Sequence, residues 1–238
     1  MTTSLKHHPK RHYLSVDVAS VQGGFAVRLD GRVPRTPGGR PIVLPTAALA
    51  DLIAGEWAAQ GEAIVMASMP ATRLAHVGID AMPEGRGEAA RRIAQFAADD
   101  LLCYFAPGPD ELVARQTRIW TPLVEWARAD LGLDFRSSVG VTHHDQPPAT
   151  LAAVEALAAG LDDFRLAAAL AAAALFGSAI LALALSKGRL SGPEAFAASQ
   201  LDDVFQAETW GEDAEAVDRA HAMAIEAAML EAWFAALR

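Results

Sequence analysis

A chain of 238 residues with 52% hydrophobic composition and a mean hydropathy of +0.18 is long and apolar enough to bury a core, which excludes bulk disorder. Its net charge of −9 excludes the basic face that nucleic-acid phosphates require. One cysteine, Cys103, excludes an intrachain disulfide and a multi-cysteine metal site, and fits a reducing compartment.

The opening residues, Met1 to Tyr13, are polar and basic and lack the apolar segment of a secretory signal. A strand pattern begins by His12, which leaves little room for an organelle-targeting peptide. "HYLSVDVAS" and "GFAVRLDG" alternate apolar with polar residues around Gly23-Gly24 and predict a hairpin. Pro37-Gly38-Gly39 predicts a turn before a short strand at Ile42, Val43 and Leu44. The same "TPGGR", Thr36 to Arg40, reads in two ways. It is a hairpin turn with a basic rim from Arg32, Arg35 and Arg40, or a phosphate cradle. No GxxxxGK[ST] pattern supports the cradle.

Thr46 predicts an N-cap for a helix carrying Leu49, Leu52, Ile53 and Trp57, ended by Gly61. A short helix follows over Ala71 to Ala81. Pro83 to Glu88, "PEGRGE", reads as a linker, because two glycines and a proline alternate with charge. The predicted organisation is α+β: a small N-terminal domain of antiparallel strands and helices over 1–83, then a mainly helical domain over 84–238.

Helices are predicted over Glu88 to Phe105 and Glu111 to Leu131. "DFRSSVGVTHHDQPP" interrupts them, and helices resume near Ala149. Leu166 to Leu185 is twenty residues without a charge, the length of a membrane span. Half of it is alanine, a poor driver of insertion, and charges flank both ends. It reads as a central helix buried on all sides. Ser191 to Glu194, "SGPE", is a capping box.

Three sites look chemical. His143, His144 and Asp145 offer two imidazoles and a carboxylate for a metal or a proton. Adjacent residues rarely address one ion, so a loop whose histidines bond backbone is the competing reading. Cys103 needs a base that the sequence does not supply, and reads as a buried residue inside an amphipathic helix. His221 falls between Val217 and Ile225 on an apolar stripe and reads as a core histidine.

"LDDVFQAETWGED", Leu201 to Asp213, holds five acids and a tryptophan. At about 100° per residue, Leu201, Val204, Phe205 and Glu208 share one arc. Trp210 lies near Asp203 and Gln206 on the acidic side, with Asp202 toward solvent. In one reading the helix bends or ends before Glu208, and Trp210 packs beneath a neighbouring helix. In the other, Asp203, Glu208 and Trp210 form a recognition surface, since a tryptophan ringed by acids has the composition of an interface anchor. In the first reading Glu208 points to water; kept on the apolar arc it needs a basic or hydrogen-bonding partner, inside the chain or on another protein, because an unpaired buried carboxylate is costly.

Several segments in order resemble one family. They are "FAVRLDGRVPRTPGGRPIVLPT" (25–46), "EWAAQ" (56–60), "MPATRLA" (69–75), "DDLLCYFAPGPDELVARQTRIWTPLVEWA" (99–127), "HDQP" (144–147) and "QAETWGEDAEA" (206–216). Their order and spacing resemble the ATP-twelve family, the assembly chaperones of the soluble F(1) head of ATP synthase, and its bacterial branch. The resemblance implies a non-enzymatic chaperone without nucleotide, metal or other cofactor. It implies binding to the unassembled α subunit, whose subunit-contact surface is shielded until a β subunit takes the chaperone's place. It implies an α+β domain followed by a helical one, a cytoplasmic location and no stable membrane insertion. It places client contact on the acidic segment, here Glu208, Trp210, Glu212 and Asp213. The alternative from a different class is a metal- or thiol-dependent hydrolase using His143, His144, Asp145 and Cys103. A membrane-anchored accessory protein using Leu166 to Leu185 is a third reading.

Overall fold

The computed structural model describes residues 8–140, 142–211 and 214–238. The chain divides into two units, Met1–Ala81 with Ala235–Arg238, and Met82–Phe234. An antiparallel three-stranded sheet lies near the N-terminus and most of the remaining chain is helical, an α+β organisation.

In the first unit, β1 (Val16–Val21) and β2 (Gly24–Leu29) form a hairpin in which Val21 faces Gly24, so Gln22-Gly23 is its two-residue turn. β3 (Val43–Leu44) adds antiparallel to β2. A side chain at Gly24 would place its Cβ 2.2 Å from the Leu44 carbonyl oxygen, so only glycine allows this approach. α1 (Ala47–Ala58) covers the sheet with Leu49, Ala50, Ile53 and Trp57, all buried. Thr46 caps it by accepting from the Leu49 amide, as its position predicts. The helix ends at Ala58, before Gly61.

Glu56 then organises the next helix, α2 (Pro70–His76). Its carboxylate accepts from the Ala71 amide, the Thr72 amide and the Thr72 hydroxyl, each at 2.7 Å. A carboxylate on exposed amides at a helix N-terminus is favoured by the dipole. Val77–Ala81 continues as a π-helical turn. Its Asp80 accepts from Thr36 Oγ1 at 2.7 Å and the Gly38 amide at 2.8 Å. The "TPGGR" loop therefore cradles a carboxylate of its own chain and is a turn, not a phosphate site.

In the second unit, α3 (Met82–Ala98) includes Pro83 to Glu88, which corrects the linker reading. Pro83 follows directly on the π-helical turn, and the Ile79 carbonyl, four residues before it, accepts instead from Arg40 Nη1 at 2.6 Å. Arg86 joins Asp163 and the carbonyls of Ala159 and Leu161. β4 (Tyr104–Phe105) pairs parallel with β5 (Ser138–Val139). Between them runs α4 (Asp110–Leu131), followed by Gly132 in the left-handed conformation. α5 (Pro148–Ala159) and α6 (Asp163–Phe176) pack on α3.

The apolar run is two helices, not one. α6 stops at Gly177, with φ of 62°, and α7 (Ala179–Ser186) starts on the Ser178 cap. Asp100, fully buried, holds the break together. It accepts from Ser178 Oγ at 2.7 Å, the Ile180 amide at 3.0 Å and the Leu102 amide at 3.1 Å. Burial, opposed by these donors, pushes its pKa up from 3.8 to about 6. No helix among the described residues is long and apolar enough to cross a membrane. α8 (Gly192–Ser199) begins with the Ser191–Glu194 capping box, as predicted. α9 (Leu201–Trp210) and α10 (Ala214–Ala236) complete the chain.

Candidate functional site

α9 has two faces with different surroundings. Asp202, Phe205 and Glu208, at helical spacing, meet α4. Leu201 is buried, and Asp202 Oδ1 accepts from Gln116 Nε2 at 2.7 Å. Gln116 is fully buried, and its Oε1 accepts the Ala106 amide at 2.8 Å, so both ends of its amide are used. The Arg115 guanidinium lies 5.2 Å from the centre of the Phe205 ring. It donates to Glu208 Oε2 and to Glu111 Oε1, each at 2.7 Å. Just before α9, the buried Trp120 indole N–H bonds the Ala198 carbonyl at 2.9 Å.

These contacts correct two readings of the wheel. Asp202 does not point to solvent. It is half-buried, and burial raises its carboxyl pKa, opposed by Gln116 and reinforced by Asp203. Val204 does not belong with Leu201 and Phe205. It shares the opposite face with Asp203, Gln206, Ala207 and Trp210. The helix neither bends nor ends before Glu208, and Glu208 finds its basic partner, Arg115, inside the chain.

That opposite face and the first turns of α10 enclose a groove of about 590 Å³. From α8 comes Phe196, from the α8–α9 junction Gln200, and from α10 Val217, Arg219, Ala220 and Met223. Trp210 is 84% exposed, Val204 49% and Val217 47%. Of the eight large apolar side chains exposed among the described residues, four lie on α9 and α10. A cluster of this kind marks an interaction site more often than scattered single residues do. α10 buries no residue before Ala227, so its N-terminal half stands free of the core. His221 is exposed there, which corrects the core reading, because the Val217–Ile225 stripe is itself exposed. Gly211, with φ of 96°, makes the turn out of α9. Glu212 and Asp213 lie outside the described residues.

The hydrolase constellation does not assemble. His143 Nδ1 lies 2.9 Å from Asp99 Oδ1, and its Nε2 lies 3.2 Å from Asp145 Oδ1. These acids, Asp145 first, raise the imidazole pKa. Cys103 lies in a 3-10 turn over Leu101–Cys103 rather than an α-helix. It is buried, and burial, with the Asp100 charge, pushes its thiol pKa up. No hydrogen bond joins Cys103 to His143 or His144 among the described residues, so the pair lacks a nucleophile–base contact. No cluster of three or more potential metal ligands of the His, Cys, Asp or Glu type occurs among the described residues.

Arg115 and Gln116, which fix α9, were not anticipated from the sequence. A signal existed for Gln116. It falls four residues from both Leu112 and Trp120, on the buried stripe of α4.

Comparison with known proteins bears on this geometry. Residues 10–128 match the family model described as ATP12 chaperone protein. The mitochondrial protein atp12 of Schizosaccharomyces pombe is 26% identical over 223 residues, covering 87% of this chain and 77% of that one. The crystal structure of Atp12 from Paracoccus denitrificans aligns with a TM-score of 0.90 at 39% identity, over 97% of this chain and 99% of that one. A structure from Agrobacterium tumefaciens, described as a candidate chaperone, aligns with a TM-score of 0.91 at 41% identity, over 97% of this chain and 87% of that one. The family match ends within α4, whereas the structural likeness extends over nearly the whole chain.

Proposed function

This chain belongs to the ATP12 chaperone family, and from that premise we propose that it binds the unassembled α subunit of the ATP synthase F(1) sector. In this reading it covers the α-subunit surface that later meets a β subunit, and arrival of the β subunit releases it. The work is done by binding, without turnover, in the cytoplasm. The observation that carries the site is the exposed apolar cluster of Trp210, Val204 and Val217 between α9 and α10. A side chain as large as Trp210 left in water is a natural anchor for a partner. Asp203 lines the groove beside that anchor, and Glu208, Glu212 and Asp213 are proposed to take part in client contact.

The test is capture from a native lysate, followed by reconstitution with purified subunits. The chain should retain α subunit and suppress its aggregation without added nucleotide. Purified β subunit should then displace it. Equal aggregation of α subunit with and without the chain, under conditions where an unrelated chaperone protects, would sink the reading.

A further inference from the structure

The walls of the groove decide what kind of segment fits it. Both long walls, α9 and α10, are helices, so their backbone N–H and C=O groups are already paired along their length. A β-strand laid there would find no ladder and would leave its own backbone unsatisfied. A helix brings its backbone already paired and presents side chains alone. The floor suits such side chains, since Val204, Ala207, Ala220 and Met223 offer apolar surface and Trp210 stands at one end. A small ligand is a poor fit. Such a site fixes its ligand with a few placed polar groups in an enclosed pocket, whereas Asp203, Gln206 and Arg219 on this lining are all solvent-exposed.

Charge narrows the occupant further. From Leu201 to Phe234 the chain carries nine acidic residues and a single base, Arg219. Among the lining residues Asp203 is the acid and Arg219 the base, so the excess negative charge around the groove comes from the other acids of this segment. A second copy of the chain docked face to face would set acids against acids. An acidic partner would meet the same repulsion.

Resting on the client reading above, we infer that the groove between α9 and α10 receives an amphipathic, cationic helix of the client. Its apolar stripe lies on Val204, Ala207, Ala220 and Met223, and Trp210 covers its end. Its lysines and arginines flank that stripe, and those nearest α9 face Asp203. Arg219 opposes this charge pattern and acts against partners that are too basic at its own position.

Two helical peptides with one apolar pattern test the inference, the first with lysines and the second with glutamates on the polar face. Binding to the full chain is read by tryptophan fluorescence, with Trp210→Phe separating that signal from the other four tryptophans. The lysine peptide should bind at least about tenfold more tightly at low salt. The gap should narrow as salt screens the surface charges. Asp203→Lys should weaken the lysine peptide and Arg219→Glu should strengthen it, each with an unchanged melting temperature. Equal binding of the two peptides, binding of neither, or indifference to both charge variants overturns the inference.

A photo-crosslinker at Val204, presented with unassembled α subunit, separates this inference from the client reading. A lysine peptide that binds as expected, with no capture of α subunit, leaves the groove assignment standing and removes the client. Capture of α subunit with no discrimination between the peptides keeps the client and removes the cationic helix as the occupant of the groove. Both together, with the crosslink mapped to a basic amphipathic helix of α subunit, support both.

Discussion

The α6–α7 pair and α10 are alanine-rich, yet the fold buries the first and leaves the N-terminal half of α10, with the α9 face beside it, in water. Every residue from Ala179 to Leu185 is buried, whereas α9 buries only Leu201. In the first pair a carboxylate, Asp100, is drawn inside and held by a hydroxyl and two amides. In the second, carboxylates stay at the surface beside an exposed tryptophan. The first pair uses its apolar surface to stabilise the unit. The second leaves apolar surface uncovered and is therefore available to a partner. What separates the two regions is whether their apolar side chains find a covering surface within the chain: those of α7 do, and Val204, Trp210 and Val217 do not.

The contrast breaks most visibly at Asp100. Asp100→Ala would leave the Ser178 hydroxyl and the Ile180 and Leu102 amides without their acceptor in a dry site. We expect a loss of about 2–4 kcal/mol, read as a large fall in melting temperature. An unchanged melting temperature would show that Asp100 does not hold the α6–α7 break. Next in size is Ala173→Leu in α6. Ala173 is fully buried, so overpacking should cost about 1–3 kcal/mol. A fully stable leucine variant would mean that this region is not close-packed.

The same carboxylate has a pH signature. Its folded pKa is raised from 3.8 to about 6, so between these values the folded chain holds a proton that the unfolded chain has released. Its contribution to stability is therefore greatest below about pH 4 and is lost as pH rises to about 6. Asp100→Asn cannot titrate, so its stability deficit relative to the parent should shrink over that range. A deficit that widens instead would show that the three donors outweigh burial and hold the carboxyl low.

On α9 the effects on folding should be smaller and those on binding larger. Gln116→Leu would free Asp202 and the Ala106 amide. It should loosen α9 while sparing α6–α7, seen as faster amide exchange confined to α9 and the residues around Ala106. Uniform exchange across both pairs would count against Gln116 as the anchor of α9. Glu208→Lys places a second cation beside Arg115. That pair is partly exposed, so the chain should stay folded, as surface ion pairs contribute little. Client protection should fall. Full protection by a folded Glu208→Lys variant would make Glu208 a bystander.

Much of this contrast was legible in the sequence where chemistry is local. Thr46, the Ser191–Glu194 box and the Gly23 turn act through their immediate neighbours, and each stands where its residue type predicts. What failed depended on distant partners. Pro83 to Glu88 is helical because Arg86 finds Asp163 and two carbonyls far along the chain. The Gly177–Ser178 break was hidden in a run without charges, and its stabiliser, Asp100, comes from another segment. The wheel ranked the residues of α9 correctly by angle but could not know where α4 lies. It therefore sent Asp202 outward and Val204 inward. Trp210, Asp203 and Gln206 were grouped on one face, and they line one groove.

The central claim is that the uncovered face of α9 and α10, not the core, meets the client. The most direct measurement compares Trp210→Ala with the parent chain in suppressing aggregation of isolated α subunit, with melting temperatures taken on the same samples. Trp210 is 84% exposed, so the variant should melt within about 0.5 kcal/mol of the parent. Its protection of α subunit should be lost. Full protection by a variant of parental stability would contradict the account.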